Sequence, residues 1–185
     1  MKVIRTFVAL SIAPDIRSRI SDVQEQAKRL APDVKWVKPE LFHVTLKFLG
    51  NVREDEIARV FSAVDEASAA NPPFDLLFSG LGSFGSRVVW VGIERGRDEL
   101  RALARSVEDS LAQAGFPRDE KGFKAHMTIG RARENHKLPN EFAGGIEEID
   151  ASDLGSQRVE SIVVMQSDLQ RDGPVYSPMS KSKLM

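Results

Sequence analysis

This chain reads as an α+β protein of two pseudo-symmetric lobes, mostly antiparallel sheet with helices outside and a central groove. Three observations predict it. Three amphipathic helical patterns are interspersed with eight strand-like runs that do not alternate with them one for one, which disfavours a doubly wound fold. Residues 14–50 and 97–133 each run helix, short proline-bearing connection, then strand, with histidines 43 and 126 standing 83 positions apart. The length of 185 residues suffices for one buried core and is short for two independent domains, so residues 1–185 are expected to form a single two-lobed unit.

The elements follow in order. Val3–Ile12 is a strand run. The first helix begins at Pro14, a residue suited to the first helical position, and carries Ile16, Ile20, Val23, Ala27 and Leu30 on one face. Strands are expected at Val34–Val37 and His43–Leu49. The second helix opens with the acids Glu54, Asp55 and Glu56, which favour a helix N-terminus, and is expected to bury Ile57, Val60, Phe61 and Val64. Phe74–Phe84 and Val88–Ile93 are joined by a hairpin turn over Gly82–Ser86. The third helix runs from about Arg97, with Leu100, Leu103, Val107 and Leu111 as its stripe, until Gly115 and Pro117 stop it. His126–Arg131, Ser161–Leu169 and Val175–Lys181 complete the strands. Gly80-x-Gly82 and Gly144-Gly145 lack the context of a dinucleotide loop and read as turns. The tail Ser180–Lys183 is expected to fray.

Composition narrows the function. The chain has no cysteine, which excludes disulfides, thiol catalysis and thiolate metal sites and points weakly to a reducing, cytoplasmic setting. Arg5 interrupts the apolar start and no cleavage site follows, so the N-terminus does not read as a signal peptide. No apolar stretch approaches the roughly 20 residues of a membrane span. A net charge of −1 argues against an extensive basic face for long nucleic acid; an RNA partner would be an end or a short piece. Charge is uneven, however. Between Arg118 and Lys137 six basic residues outnumber three acids and bracket His126, an arrangement that fits either an anion site or a solvated face.

The chemistry lies in two short segments. Only three histidines and three threonines occur, yet His43-Val44-Thr45-Leu46 and His126-Met127-Thr128-Ile129 each place a threonine two residues after a histidine. Random placement would do this in roughly one case in a thousand. In a strand, residues i and i+2 face the same side, so each segment aims an imidazole and a hydroxyl at one spot. Val44, Leu46 and Phe48 would then pack inward while His43, Thr45 and Lys47 line the cleft; in the second strand Met127 and Ile129 would pack inward while His126, Thr128 and Gly130 face the cleft. Histidine suits both a base and an acid near neutral pH, and hydroxyls can hold the non-bridging oxygens of a phosphate. No cluster at metal-ligand spacing occurs, so no cofactor or metal is expected. His136 lacks a threonine partner and reads as a surface residue. Trp36 and Tyr176 could stack on a base, although core or rim packing is the commoner fate.

With these residues the sequence resembles the two-histidine phosphoesterases, in particular their RNA 2′,3′-cyclic phosphodiesterase (2′-5′ RNA ligase) branch. Flanking residues carry the likeness too: Trp36-Val37 and Pro39 before the first motif, Lys47-Phe48-Leu49-Gly50 after it, Arg5–Leu10 at the start and Gly173-Pro174-Val175-Tyr176 near the end. The resemblance implies hydrolysis of a terminal 2′,3′-cyclic phosphate to a 2′-phosphomonoester, with reversible 2′-5′ joining of RNA ends. It implies His43 as proton donor and His126 as proton acceptor, roles the sequence itself does not rank. It also marks Thr45, Thr128, Arg131 and Phe48 as substrate contacts. Arg131 and Phe48 each lie five residues past their histidine, so strict alternation points them away from the cleft. The strand must end or bulge before Arg131, while Phe48 fits equally as a core aromatic. The partner expected is an RNA end or short oligonucleotide, met by a monomer in the cytoplasm. Two rivals stay open: a phosphodiesterase for small cyclic nucleotide phosphates or 2′-5′ oligoadenylate, and a nucleotide-binding module without turnover.

Overall fold

The computed structural model describes residues 1–185. Nine strands and four helices follow the chain as β1 (Val3–Ser11), α1 (Pro14–Leu30), β2 (Lys35–Trp36), β3 (His43–Arg53), α2 (Ile57–Ala69), β4 (Phe74–Phe84), β5 (Val88–Arg95), α3 (Arg97–Gln113), β6 (His126–Arg131), α4 (Phe142–Glu147), β7 (Ser156–Val159), β8 (Ser161–Gln170) and β9 (Gly173–Lys183). They make two sheets, ordered β3-β1-β8-β9 and β2-β6-β5-β4-β7. Every pairing is antiparallel, as an α+β protein of this element order should have.

The helices pack crosswise. α1 leaves β1 of the first sheet but lies behind the second, where Gln24 reaches Ile129 of β6 and α4 lies alongside. α3 leaves β5 of the second sheet but lies behind the first with α2, where Glu108 meets Lys47 of β3. Each motif strand is therefore backed by the helix that precedes the other motif. One connected set of 39 buried residues draws on both sheets, among them Val8, Val44, Val89 and Met127. That shared core brings β3 and β6 side by side between the sheets.

The helical stripes of α1 and α3 are buried as their period predicts, Leu30 excepted, which is only partly covered. α3 starts abruptly at Gly96. Its φ is 79°, and a Cβ there would lie 2.1 Å from the Asp75 carbonyl oxygen, so only glycine allows strand and helix to meet at this corner. Glu54–Glu56 forms a single 3₁₀ turn ahead of α2, and in α2 Ala63 and Ala67 are buried while Phe61 is only partly covered.

Several expectations change. Gly144-Gly145 is not a turn but part of α4, where Leu30 packs so closely that a Cβ on Gly145 would come within 2.9 Å of it. Gly80 and Gly82 lie within β4, and Gly82 leaves room for the Trp90 ring. The short edge strand β7 has only one buried residue, Val159, and no alternation that a sequence pattern could register. The tail does not fray: β9 continues through Lys183, and Leu184 is buried with its N–H donated to Glu160 O. No helix is long and apolar enough to cross a membrane.

Candidate active site

Both motifs begin their strands, and both histidines are oriented in the same way. The Nδ1 of His43 lies 2.8 Å from Leu41 O, and that of His126 lies 2.6 Å from Lys124 O. A ring nitrogen facing a carbonyl must carry the proton, so Nδ1–H donates and Nε2 is left toward the open side. Thr45 and Thr128 face that same side two residues on, and all four side chains line one cavity of about 610 Å³. The third threonine, Thr6, also lines this cavity, but its hydroxyl donates to Ile4 O.

The fourth residue of each motif is a bulge. Val8 and Ala9 of β1 pair with Lys47 and Thr45, so Leu46 is extra. Val89 and Trp90 of β5 pair with Gly130 and Thr128, so Ile129 is extra. An extra residue inverts the alternation beyond it. Phe48 and Arg131 are thereby turned into the cavity, and Phe48 is 56% exposed rather than a core aromatic. Lys47, expected in the cleft, is instead turned inward and 5% exposed; its Nζ donates to Glu108 Oε1 (2.9 Å) and Pro117 O (2.8 Å). Gly130, at the equivalent position, is turned against Trp36, whose ring a Cβ would approach to 2.8 Å. The second bulge is tied from behind: the buried Gln24 amide donates to Val37 O and Ile129 O, and the Val37 N–H also donates to Ile129 O.

The family is visible at this point from outside the site as well. A model of the LigT-like phosphoesterases matches residues 10–90 and again residues 91–176, one copy for each motif. The chain belongs to the LigT-like phosphoesterase family. An RNA 2′,3′-cyclic phosphodiesterase of Archaeoglobus fulgidus is 36% identical over 179 residues, covering 95% of this chain and 97% of that one. One of Methanothermobacter thermautotrophicus is 31% identical over 185 residues, covering 98% and 99%. The crystal structure of E. coli LigT complexed with 3′-AMP superposes with a TM-score of 0.79 at 25% identity, covering 99% of each chain.

In this LigT-like phosphoesterase the two imidazoles sit in unlike aromatic settings. His43 forms a triangle with Phe7 (ring centroids 5.0 Å) and Tyr176 (5.3 Å, edge-on), which also touch each other (4.9 Å), while His126 meets Phe84 edge-on at 4.8 Å. Burial lowers the pKa of both below the usual imidazole value; the carbonyl partners Leu41 and Lys124 oppose this, and the Arg131 charge adds to it at both rings. Arg131 also acts against the burial that raises the Tyr176 hydroxyl. The Arg131 charge thus acts on both histidines and, with Arg5, on Tyr176.

All six residues singled out from the sequence line the LigT-like cavity, and Trp36 and Tyr176 line it too. His136 is elsewhere and exposed, its Nδ1 on Glu134 O. The basic window around His126 does not supply the lining. Arg118 is paired with Asp109, Arg133 donates to Asp33 O, and of that window's six cations only Arg131 reaches the cavity. The other lining cations, Arg5, Lys35 and Lys38, come from β1 and from β2 with its following turn; the sole lining carboxylate is Asp172. Sequence reading missed these four. Arg5 fell inside a quoted stretch, but nothing in local pattern tells which side of a strand faces a cleft formed by another sheet.

Proposed function

We propose that this chain hydrolyses the terminal 2′,3′-cyclic phosphate of RNA to a 2′-phosphomonoester by acid–base catalysis between His43 and His126. One observation carries the reading: two His-x-Thr strands, each with Nδ1 spent on its own backbone, present two Nε2 atoms, two hydroxyls and Arg131 to one cavity. With Nδ1–H fixed, a neutral ring has a bare Nε2 and is a base, whereas a charged ring carries Nε2–H and is an acid. His126 Nε2 takes a proton from water as the water oxygen bonds to phosphorus. The P–O3′ bond breaks, and His43 Nε2–H delivers its proton to the departing O3′. Thr45, Thr128 and Arg131 hold the non-bridging oxygens, where charge must be stabilised. With a ribose 5′-hydroxyl in place of water, the same attack breaks P–O3′, His43 protonates O3′, and the two ends are joined through a 2′-5′ link; cleavage of that link is the reverse step. The relatives named as RNA 2′,3′-cyclic phosphodiesterases support the substrate class. We read residues 1–185 as one two-lobed unit acting as a cytoplasmic monomer. The deciding experiment is incubation with RNA ending in a 2′,3′-cyclic phosphate. A 2′-phosphate product is expected; a 3′-phosphate, or product binding with no turnover, would overturn the reading.

The pH dependence follows from the depressed imidazoles. Activity of the free enzyme needs one neutral and one charged ring, and both titrate below about 6.5 because both are buried. The bell of kcat/KM is therefore expected to peak below pH 6.5. A bound phosphate anion favours the charged ring, so the kcat profile should be displaced upward. A flat response between pH 5 and 8 would remove the assignment.

The hydroxyls should matter less than the rings. Thr45→Ala and Thr128→Ala are each expected to cost about 1–3 kcal/mol in kcat/KM, the worth of a hydrogen bond to a charged group. Serine at either position should restore most of it. Full activity in both alanine variants would place the oxyanion contacts elsewhere.

A further inference from the structure

Lys35 and Arg131 are direct partners in the antiparallel pairing of β2 with β6. Side chains so paired stand on one face, about 5 Å apart at Cβ, and like charges there repel. Both are exposed, and both line the cavity. Neither enters any of the eight ion pairs of the chain, and neither does Lys38. A like-charge pair with no ion-pair partner favours an anion beside it. β2 is also firmly held: the Trp36 indole Nε1–H donates to Ala31 O, and the ring lies against Gly130.

Arg131 follows the bulge at Ile129 and lines the cavity together with both imidazoles and both hydroxyls, which places it with the reacting phosphate. Lys35 stands one strand further out, on the edge strand that pairs with the Arg131 end of β6 rather than with its His126 end. We propose that Lys35, with Lys38 beside it, forms a second phosphate subsite that takes the internucleotide phosphate immediately upstream of the terminal cyclic phosphate. A lysine suits that role, being a compact charge on a flexible stem that needs no fixed bidentate geometry. The inference rests on the cyclic-phosphate reading above and sharpens it. The preferred substrate is an oligonucleotide end, because a mononucleotide cyclic phosphate engages Arg131 and leaves Lys35 without an anion of its own. The chain as a whole is slightly acidic, yet this wall is cationic, so the field is local to the cleft.

The test is a ratio. Turnover of a dinucleotide and of a mononucleotide, each ending in a 2′,3′-cyclic phosphate, is compared for the native chain, Lys35→Gln and Lys35→Arg. The native chain should prefer the dinucleotide in kcat/KM, Lys35→Gln should lower that preference about tenfold, and Lys35→Arg should keep most of it. A structural defect would lower both substrates together and leave the ratio unmoved, which would overturn the subsite. Absence of any dinucleotide preference in the native chain would overturn it too. Affinities for the matching 2′-phosphates, measured by calorimetry, read the same ratio without turnover. If the native chain hydrolyses neither substrate but Lys35→Gln still removes the dinucleotide's extra affinity, the subsite stands and the hydrolytic reading falls.

Discussion

Alanine at His43 or at His126 is expected to lower turnover of an RNA 2′,3′-cyclic phosphate by about 10²–10⁴-fold, the worth of a positioned proton-transfer group. The two losses should not multiply. Each ring serves one end of a single in-line displacement, so the double variant should be little worse than either single one. The reason lies in how each ring is held. His43 and His126 are tied through Nδ1 to Leu41 O and Lys124 O, which fixes each ring in the wall of the cavity. Folding should survive, because both rings are partly buried in the cavity wall and neither belongs to the apolar core, and urea midpoints near that of the native chain would show it. A loss under about tenfold in either single variant, with the fold intact, would remove that histidine from proton transfer.

Glu108→Ala is expected to destabilise the fold by about 3 kcal/mol. The Lys47 side chain is 4% exposed, and Glu108 Oε1 accepts both its ammonium and the Asp119 N–H. Removing the carboxylate leaves a buried charge with only the Pro117 carbonyl for company. The cost is desolvation without compensation, not the modest worth of a surface pair. A function-linked consequence follows. Pro117 and Asp119 start the connection that ends in His126, so the strand of the first motif anchors the approach to the second. Replacing both partners with apolar residues, Lys47→Met with Glu108→Leu, should recover most of the stability. A urea midpoint shift worth less than about 1 kcal/mol in Glu108→Ala would mean that the pair is effectively solvated.

Much of this molecule is legible in one dimension because the relevant periods are local. The stripe of α1 is buried since 3.6 residues bring Ile16, Ile20, Val23 and Ala27 to one face. His43 and Thr45 share a side since two residues complete one pleat, and the same holds for His126 and Thr128. That much needs no knowledge of partners. Beyond Thr45 and Thr128 the pattern misleads, and Lys47 and Phe48 exchange the faces that alternation assigns them.

Composition, the twin motifs and the helical stripes determined that this is an α+β chain with two imidazole–hydroxyl pairs fit for phosphoryl chemistry. Only the tertiary structure decided that Leu46 and Ile129 are extra residues, that Arg131 and Phe48 therefore enter the cavity, and that Lys35 confronts Arg131 from a distant part of the chain. The physical reason is that a bulge is a property of a pair of strands, not of one. Its place depends on where β1 and β5 put their hydrogen bonds and on what the crosswise helices demand of the buried face.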